Sequence, residues 1–276
     1  MQVPQTQIQT VKYRFDRIVK QVATDFLSNI DSPILGIYVG SYGRNTAIDL
    51  SDVDILISLP WSVYFKYDNY WSNGQSSLLQ AIKNSIEKTY PMTKMAGDGQ
   101  VVVIEFTDGI RFEVLPGFRN EDYSFWYPDT HDGGRWKRTN PLPEQQAMKE
   151  LDGISNYAGR RLARMVRSWK NYNNVKMGGL LIDTYVYKFL SSWKCKSRSY
   201  EYYGWMTKDF FDFLRNQDDS LSYIHALGSN QHVDMGHFTS KASKAYENAM
   251  QAVYYEQKGY SNLANNYWSS IYGTRF

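Results

Sequence analysis

Asp52 and Asp54, one residue apart in "LSDVDILISL", are the pair in this chain best placed to do chemistry. The run "VDILISL" is short, apolar and rich in branched side chains, which predicts a buried strand. Side chains two apart on a strand leave the same face, so both carboxylates point one way while Val53, Ile55 and Ile57 point the other. Two like charges about 4 Å apart repel by roughly 4 kcal/mol at an effective dielectric of about 20. A cation between them would offset that repulsion.

Three features around the pair favour phosphate and metal chemistry over two solvated acids at a strand end. Gly40-Ser41 closes the preceding apolar run, "ILGIYVG", and a gap of ten residues separates Ser41 from Asp52. A Gly-Ser turn lets backbone N–H groups and a hydroxyl come close to phosphate oxygens. Arg44 and Thr46 follow in the same loop and could add a cation and a second hydroxyl. A third acid stands further on, in "VVVIEFTDGIRFEVLP", where Asp108-Gly109 between two β-rich runs predicts a hairpin. Glu105 and Glu113 compete for that role. With a two-residue turn, Glu105 pairs with Phe112 and Ile104 with Glu113. Cross-strand partners share a face, so the two glutamates point to opposite sides. Glu113 is preferred because it precedes the apolar "VLP" exit of the hairpin.

Three carboxylates beside a phosphate turn suit two divalent ions, one lowering the pKa of an attacking hydroxyl, the other bracing a triphosphate and its leaving group. An oxygen-only donor set suits Mg²⁺, with Mn²⁺ as the alternative. On this reading Asp52 and Asp54 bind both ions. Glu113 completes the set and helps take the hydroxyl proton, while Gly40 and Ser41 hold the β and γ phosphates.

The elements that must position these residues follow from periodicity. Ile8, Val11, Phe15, Ile18, Val22 and Phe26 predict an amphipathic helix from about Thr6 to Ser28. "QSSLLQAIKNSIEKTY" returns to helical period, and from about Pro143 onward the pattern is mostly helical. Breaks fall near Gly178-Gly179, Gly204 and "LGSNQHVDMGHF". The order is helix, strand, strand, helix, hairpin, then a helical second half: an α+β chain. "HDGGRWKRTNPLP" marks the boundary, giving a catalytic lobe at 1–140 and a helical lobe at 141–276.

Composition bounds the rest. The chain has 276 residues, enough for one large or two modest domains. A single cysteine, Cys195, excludes an internal disulfide framework and a cysteine-built zinc site. No window approaches the roughly 18 apolar residues of a membrane span, and "MQVPQTQIQT" lacks the apolar core of a signal peptide, so a soluble cytoplasmic protein is expected. The formal charge is +3 with no long basic run, which argues against long nucleic acid as the partner but leaves room for small anions.

With these residues in view, the sequence resembles the polymerase-β-type nucleotidyltransferases, and within them the bacterial cGAS/DncV-like nucleotidyltransferases (CD-NTases, SMODS type). Ser41, Arg44 and Thr46 match the family's "GS-x-x-R-x-T" loop, Asp52 and Asp54 its "SD-[VI]-D", and "FEVLP" its third acid. "GGRWKRTNP" resembles the "W-x-x-T-N-P" segment, and "RMVRSWKNYNN" a helix usually written "L-[IL]-K-x-W". Three positions depart: Glu113 stands where Asp is usual, Arg167 where Lys is, and Gly178-Gly179 where a Ser often lies.

The resemblance implies a bilobed enzyme, a small mixed sheet carrying the acids and a helical lobe closing over nucleotide, with the N-terminal helix also packing on that lobe. It implies a cyclic di- or trinucleotide signal made from ATP, GTP or pyrimidine triphosphates, in bacterial anti-phage (CBASS) signalling, and it admits regulatory protein partners. Two rival functions are nucleotidyl transfer to an RNA end, a protein or a small molecule, and a catalytically silent nucleotide sensor.

Arg160, Arg164 and Arg167 share one helix face, and the resemblance makes Arg167 the phosphate-binding candidate. Thr139 and Asn140 either read a base edge or build the turn before Pro141. Tyr42, Trp136 and Tyr172 could stack on a base, though each is more ordinary as core or rim. His232, Asp234 and His237 lack a fourth ligand and are not read as a metal site.

Overall fold

The structure is a computed structural model that describes residues 5–27, 35–50 and 52–273. Ser28 at the end of the expected first helix, Ile34 at the start of "ILGIYVG", and Ser51 in the Ser-Asp-Val-Asp motif lie outside the described residues. The chain forms two compact units. One comprises 1–43 and 49–142, the other 44–48 and 143–276.

The first unit begins with α1 (Gln5–Phe26), β1 (Gly36–Tyr38), α2 (Gly40–Gly43) and β2 (Asp52–Ser58), followed by α3 (Trp61–Asp68) and α4 (Gly74–Glu87). Five strands complete it: β3 (Lys94–Asp98), β4 (Val101–Glu105), β5 (Arg111–Arg119), β6 (Phe125–Asp129) and β7 (Arg135–Thr139). The sheet order is β1-β2-β5-β4-β3, and β5 runs on to pair with β6, which pairs with β7. The β2–β5 pair is parallel; the other pairs are antiparallel.

Alternation decides which face of this sheet is covered. Val53, Ile55 and Ile57 of β2, Phe112 and Val114 of β5, and Val102 and Ile104 of β4 are buried in one core with Val11, Ile18 and Val22 of α1 and Leu78, Ile82 and Ile86 of α4. The three α1 residues lie one stripe apart on the helix, which is why that face closes on the sheet. The opposite face carries Asp52, Asp54, Arg111 and Glu113.

The hairpin between β4 and β5 differs from the sequence expectation by one residue. Glu105 pairs with Arg111 and Val103 with Glu113, because the connection is longer than two residues: the Phe106 N–H donates to the Ile110 carbonyl at 3.1 Å. Gly109, at φ +84°, supplies the left-handed residue that such a three-residue loop requires. Glu105 therefore shares its face with Arg111 and Glu113 rather than pointing away. The segment read as a boundary, "HDGGRWKRTNPLP", contains β7 and its turn.

The second unit contains α5 (Pro141–Ile154) beyond its first two residues, α6 (Ala158–Tyr172), α7 (Gly179–Ser192) and α8 (Tyr203–Arg215), then a hairpin of β8 (Tyr223–His225) and β9 (His232–Asp234), then α9 (Thr239–Gln257) and α10 (Ser261–Tyr272). Its core gathers Leu162, Val166 and Trp169 of α6, Leu181, Ile182 and Tyr185 of α7, and Phe210 and Phe211 of α8. Ala242, Ala245, Ala249 and Ala252 are buried along one side of α9, where small side chains let neighbouring helices approach. The β8–β9 hairpin corrects the reading of this half as helical with a loop, since strands of three residues are too short to reveal alternation.

Asp129 at the end of β6 shows how the first unit treats a buried charge. Its carboxylate is fully buried and meets His131 Nδ1 at 2.6 Å, Arg135 Nε at 2.9 Å and Lys137 Nζ at 2.7 Å. The hydrogen bond from Lys137 leads in favouring ionisation; with those from His131 and Arg135 it outweighs burial and holds the carboxyl well below its usual range. A depressed folded-state pKa gives stability that is complete above the unfolded value, 3.8, and is lost as pH falls below it. Denaturant midpoints measured from pH 6 to pH 2.5 should therefore drop in wild type, while Asp129→Asn should start lower and show a shallower acid loss.

Candidate active site

Asp52, Asp54 and Glu113 share one face of the sheet because β2 and β5 run parallel and in register. Asp52 lies beside Arg111 and Asp54 beside Glu113, on strands that are neighbours at roughly 4.8 Å. Glu113 is thus set apart from Glu105 by register with Asp54, not by the face it occupies. Glu105 sits one strand further away and is paired with Lys94 at 2.6 Å.

The Gly-Ser turn is built against this pair. The Val39 N–H donates to the Asp54 carbonyl at 2.9 Å, extending the β1–β2 ladder to the turn, and the Gly43 N–H donates to the Val39 carbonyl at 2.8 Å, closing α2. Gly40 has φ +58°, and a Cβ there would overlap the Asp54 carboxylate. Glycine is required on both counts. Ser41, next in the turn, is half-buried.

The cation beside Asp52 and Glu113 is Arg111. Its Nη2 donates to Glu113 Oε1 at 2.7 Å and its Nε stands 4.0 Å from Asp52 Oδ1, with the Asp52 side chain 60% exposed and that of Glu113 28% exposed. Nothing in the sequence reading singled out Arg111, although it lies two residues before Glu113 and so on the same face. Among the described residues, no three His, Cys, Asp or Glu side chains stand close enough together to hold an ion as they are, and this includes His232, Asp234 and His237. The donor set nevertheless fits a divalent cation: it is hard oxygen only, it shares one face, and it already draws in a cation.

Arg44, Thr46 and Arg167 are brought together, but around a carboxylate rather than in an open cradle. Asp183 of α7 is fully buried. Its Oδ2 accepts from Arg44 Nε at 2.7 Å, Thr46 Oγ1 at 3.0 Å and Arg167 Nη2 at 2.8 Å, and its Oδ1 from Arg167 Nη1 at 2.7 Å. Arg167 also donates to the carbonyls of Ala163 and Gly179, and Arg44 Nη1 reaches Glu144 at 3.3 Å. Burial opposes ionising Asp183, and Arg167 and Arg44 more than offset it, holding its pKa below the usual value. For Glu144 burial prevails and raises the pKa, with Asp183 adding to the effect against Arg44 and Ser229.

The remaining arginines of the α6 stripe are also engaged inside the second unit. Arg164 Nη2 holds the carbonyl and side-chain oxygen of Asn45 at 3.1 and 3.0 Å, and Arg160 Nε meets Asp152 at 2.5 Å. Their common function here is to anchor the loop 44–48 and the α5–α6 turn. The signal that could have found this network is Asp183 itself, a lone acid in the apolar run "GLLIDTYVYKFL", because a charge buried there needs partners.

Asn140 is half-buried where β7 passes into α5. Trp136 packs against Tyr64 and Phe118 with its Nε1 donating to Asp68, Tyr42 packs on Tyr38, and Tyr172 is about half exposed at 54%. Among the described residues no helix is long and apolar enough to cross a membrane.

A mixed sheet of this order, with helices packed on one face, is the fold of the polymerase-β-type nucleotidyltransferases. Residues 1–152 match the family model SMODS, the Second Messenger Oligonucleotide or Dinucleotide Synthetase domain, and the chain belongs to that family. Its fold is similar to that of Escherichia coli MS115-1 CdnC, solved with ATP: TM-score 0.69, 16% identity, covering 98% of this chain and 93% of that one. Vibrio cholerae DncV, a cyclic AMP-GMP synthase solved with the linear intermediate 5′ pppA(3′,5′)pG, matches at TM-score 0.67 and 12% identity, over 95% of this chain and 81% of that one. Bradyrhizobium diazoefficiens CdnG, solved with GTP, matches at TM-score 0.65 and 9% identity, over 100% and 92%. No curated protein matches the chain in sequence. The chain is thus a nucleotidyltransferase of a second-messenger-synthesising family.

Two substitutions probe this geometry. Gly40→Ala should displace the Asp54 carboxylate and lower nucleotidyl transfer by about a hundredfold, the usual cost of a misplacement near 1 Å, with the circular dichroism spectrum retained. Asp183→Asn leaves two buried arginines undercompensated and should cost roughly 3–5 kcal/mol, read from urea denaturation.

Proposed function

We propose that the chain is a Mg²⁺-dependent synthase that joins nucleoside triphosphates into a cyclic di- or trinucleotide, in bacterial anti-phage signalling. The observation that carries the site assignment is the register of Asp54 with Glu113, with Asp52 on the same face and Gly40 against the Asp54 carboxylate. The printed ligands of the relatives, ATP for CdnC, GTP for CdnG and a linear dinucleotide for DncV, support a triphosphate donor and a stepwise route.

Asp52, Asp54 and Glu113 would hold two Mg²⁺ ions, or Mn²⁺, which when bound acidify the attacking hydroxyl and neutralise charge on the leaving pyrophosphate. The acceptor's 3′- or 2′-hydroxyl oxygen bonds to the donor's α-phosphorus as the bond to the bridging oxygen breaks and pyrophosphate leaves. Glu113 takes the hydroxyl proton. Gly40 and Ser41 hold the β and γ phosphates through the turn's N–H groups and hydroxyl. A second transfer, within the linear product, closes the ring.

Arg44, Thr46 and Arg167 act by positioning on this reading. Their donors hold Asp183 and thereby fix loop 44–48 within the second unit. Asn140, at the end of β7, is the candidate for a base contact. A regulatory partner is in keeping with the CdnC relative, which was also solved in a complex with a HORMA protein.

Incubation with each α-labelled triphosphate, alone and mixed, followed by phosphatase and mass analysis, tests the product. Phosphatase-resistant cyclic species are expected. Label passing to RNA, protein or a small molecule instead would exclude cyclisation. Asp54→Asn should abolish pyrophosphate release while nucleotide binding, measured by fluorescence polarisation, persists.

A further inference from the structure

The acidic face contains a charge pattern that the family assignment does not use. Across the sheet, register aligns Lys94 of β3, Glu105 of β4, Arg111 of β5 and Asp52 of β2 in one row, alternating in sign. The next row carries Glu113 and Asp54. Lys94 satisfies Glu105 at 2.6 Å, which leaves Arg111 as the cation facing Asp52 and Glu113.

Arg111 is held there incompletely. Its Nη2 has Glu113 at 2.7 Å, yet its Nε is buried with no hydrogen-bond partner and stands 4.0 Å from Asp52. The contrast is Arg167, where Nη1 and Nη2 each meet an Asp183 oxygen and a backbone carbonyl. Arg167 is enclosed at 8% side-chain exposure; Arg111 is 37% exposed and can swing into water. An unpartnered buried Nε is also found at Arg164, which anchors Asn45, so what sets Arg111 apart is its exposure and its place between two acids. Arg111 has the geometry of a counter-ion drawn to an excess of negative charge.

We propose that Arg111 is an internal counter-ion that competes with the divalent cation for the acidic face. It holds Glu113 and screens Asp52 until an ion binds, and it releases Glu113 when the ion takes its place. This rests on the reading that Asp52, Asp54 and Glu113 are the ion's ligands. A guanidinium and a divalent ion repel, and Glu113 cannot be fully committed to both. Arg111 therefore weakens ion binding to the empty enzyme, so that ions are retained chiefly when they arrive with a triphosphate, whose charge adds to that of the acids.

The test is Mn²⁺ titration of the full chain without nucleotide, followed by electron paramagnetic resonance, for wild type, Arg111→Met, Arg111→Lys and Asp54→Asn. Arg111→Met should bind Mn²⁺ at least fivefold more tightly, and Arg111→Lys, which keeps the charge, should stay within twofold of wild type. Unchanged or weaker binding in Arg111→Met, with binding lost in Asp54→Asn, would overturn the competition and leave the ion site standing. Binding unaffected by Asp54→Asn would remove the ion site itself and the competition with it. A second readout needs only folded wild type: the Arg111 Nε–H resonance, assigned by its absence in Arg111→Lys, should lose its protection from water exchange when Mg²⁺ is added. Persistence of that protection at saturating Mg²⁺ would overturn the proposal.

Discussion

Carboxylates gathered on one sheet face repel one another, and the arrangement of the first unit answers that repulsion. The parallel pairing of β2 and β5 forces Asp54 and Glu113 side by side. The apolar alternation that seals the other face against α1 and α4 prevents either strand from shifting to relieve it, since a slip by one residue would bury the acids and expose Val53, Ile55 and Phe112. The energy that holds the acids together thus comes from hydrophobic burial on the reverse side of the same strands.

A different solution operates in the second unit. Asp183 has no access to water, so its charge is sustained by two arginines and a threonine from distant parts of the chain. Such a network adds little net stability over apolar packing, but it is exacting about geometry, and breaking it is costly. Here it fixes loop 44–48, the segment directly before the acid strand. A charged anchor suits that loop better than an apolar one, because the loop offers few apolar side chains to bury.

Much of this was legible in the sequence because it depends on local periodicity. Acids two apart in a short apolar run, a Gly-Ser turn before them and a β-rich hairpin after them each follow from neighbouring residues. What could not be read is what depends on loop detail or on distant partners. One extra residue in the turn at Asp108-Gly109 moves Glu105 onto the face of Glu113, so what separates the two acids is the pairing of Glu113 with Asp54 across β5 and β2. Arg44 is a phosphate candidate from its place in the loop after Gly40-Ser41, and Arg167 from the family resemblance; neither signal reveals that both donate to one buried carboxylate. Their partner, Asp183, lies far along the chain from Arg44, and only the fold brings them together. The β8–β9 strands were missed because three residues are too few to show a period.

The parallel register also governs how such a chain can vary over evolutionary time. Between β2 and β5 the connecting loops can lengthen or shrink without disturbing Asp54 and Glu113, whereas α4 and β4 are held by the core they share with those strands. A single-residue insertion or deletion within β2 or β5 has no such freedom, since it would carry one carboxylate to the wrong side of the sheet. Tolerance to indels should therefore be sharply divided along the first unit, generous in the loops of the crossover and nearly nil in β2, β5 and the β4 strand paired with it.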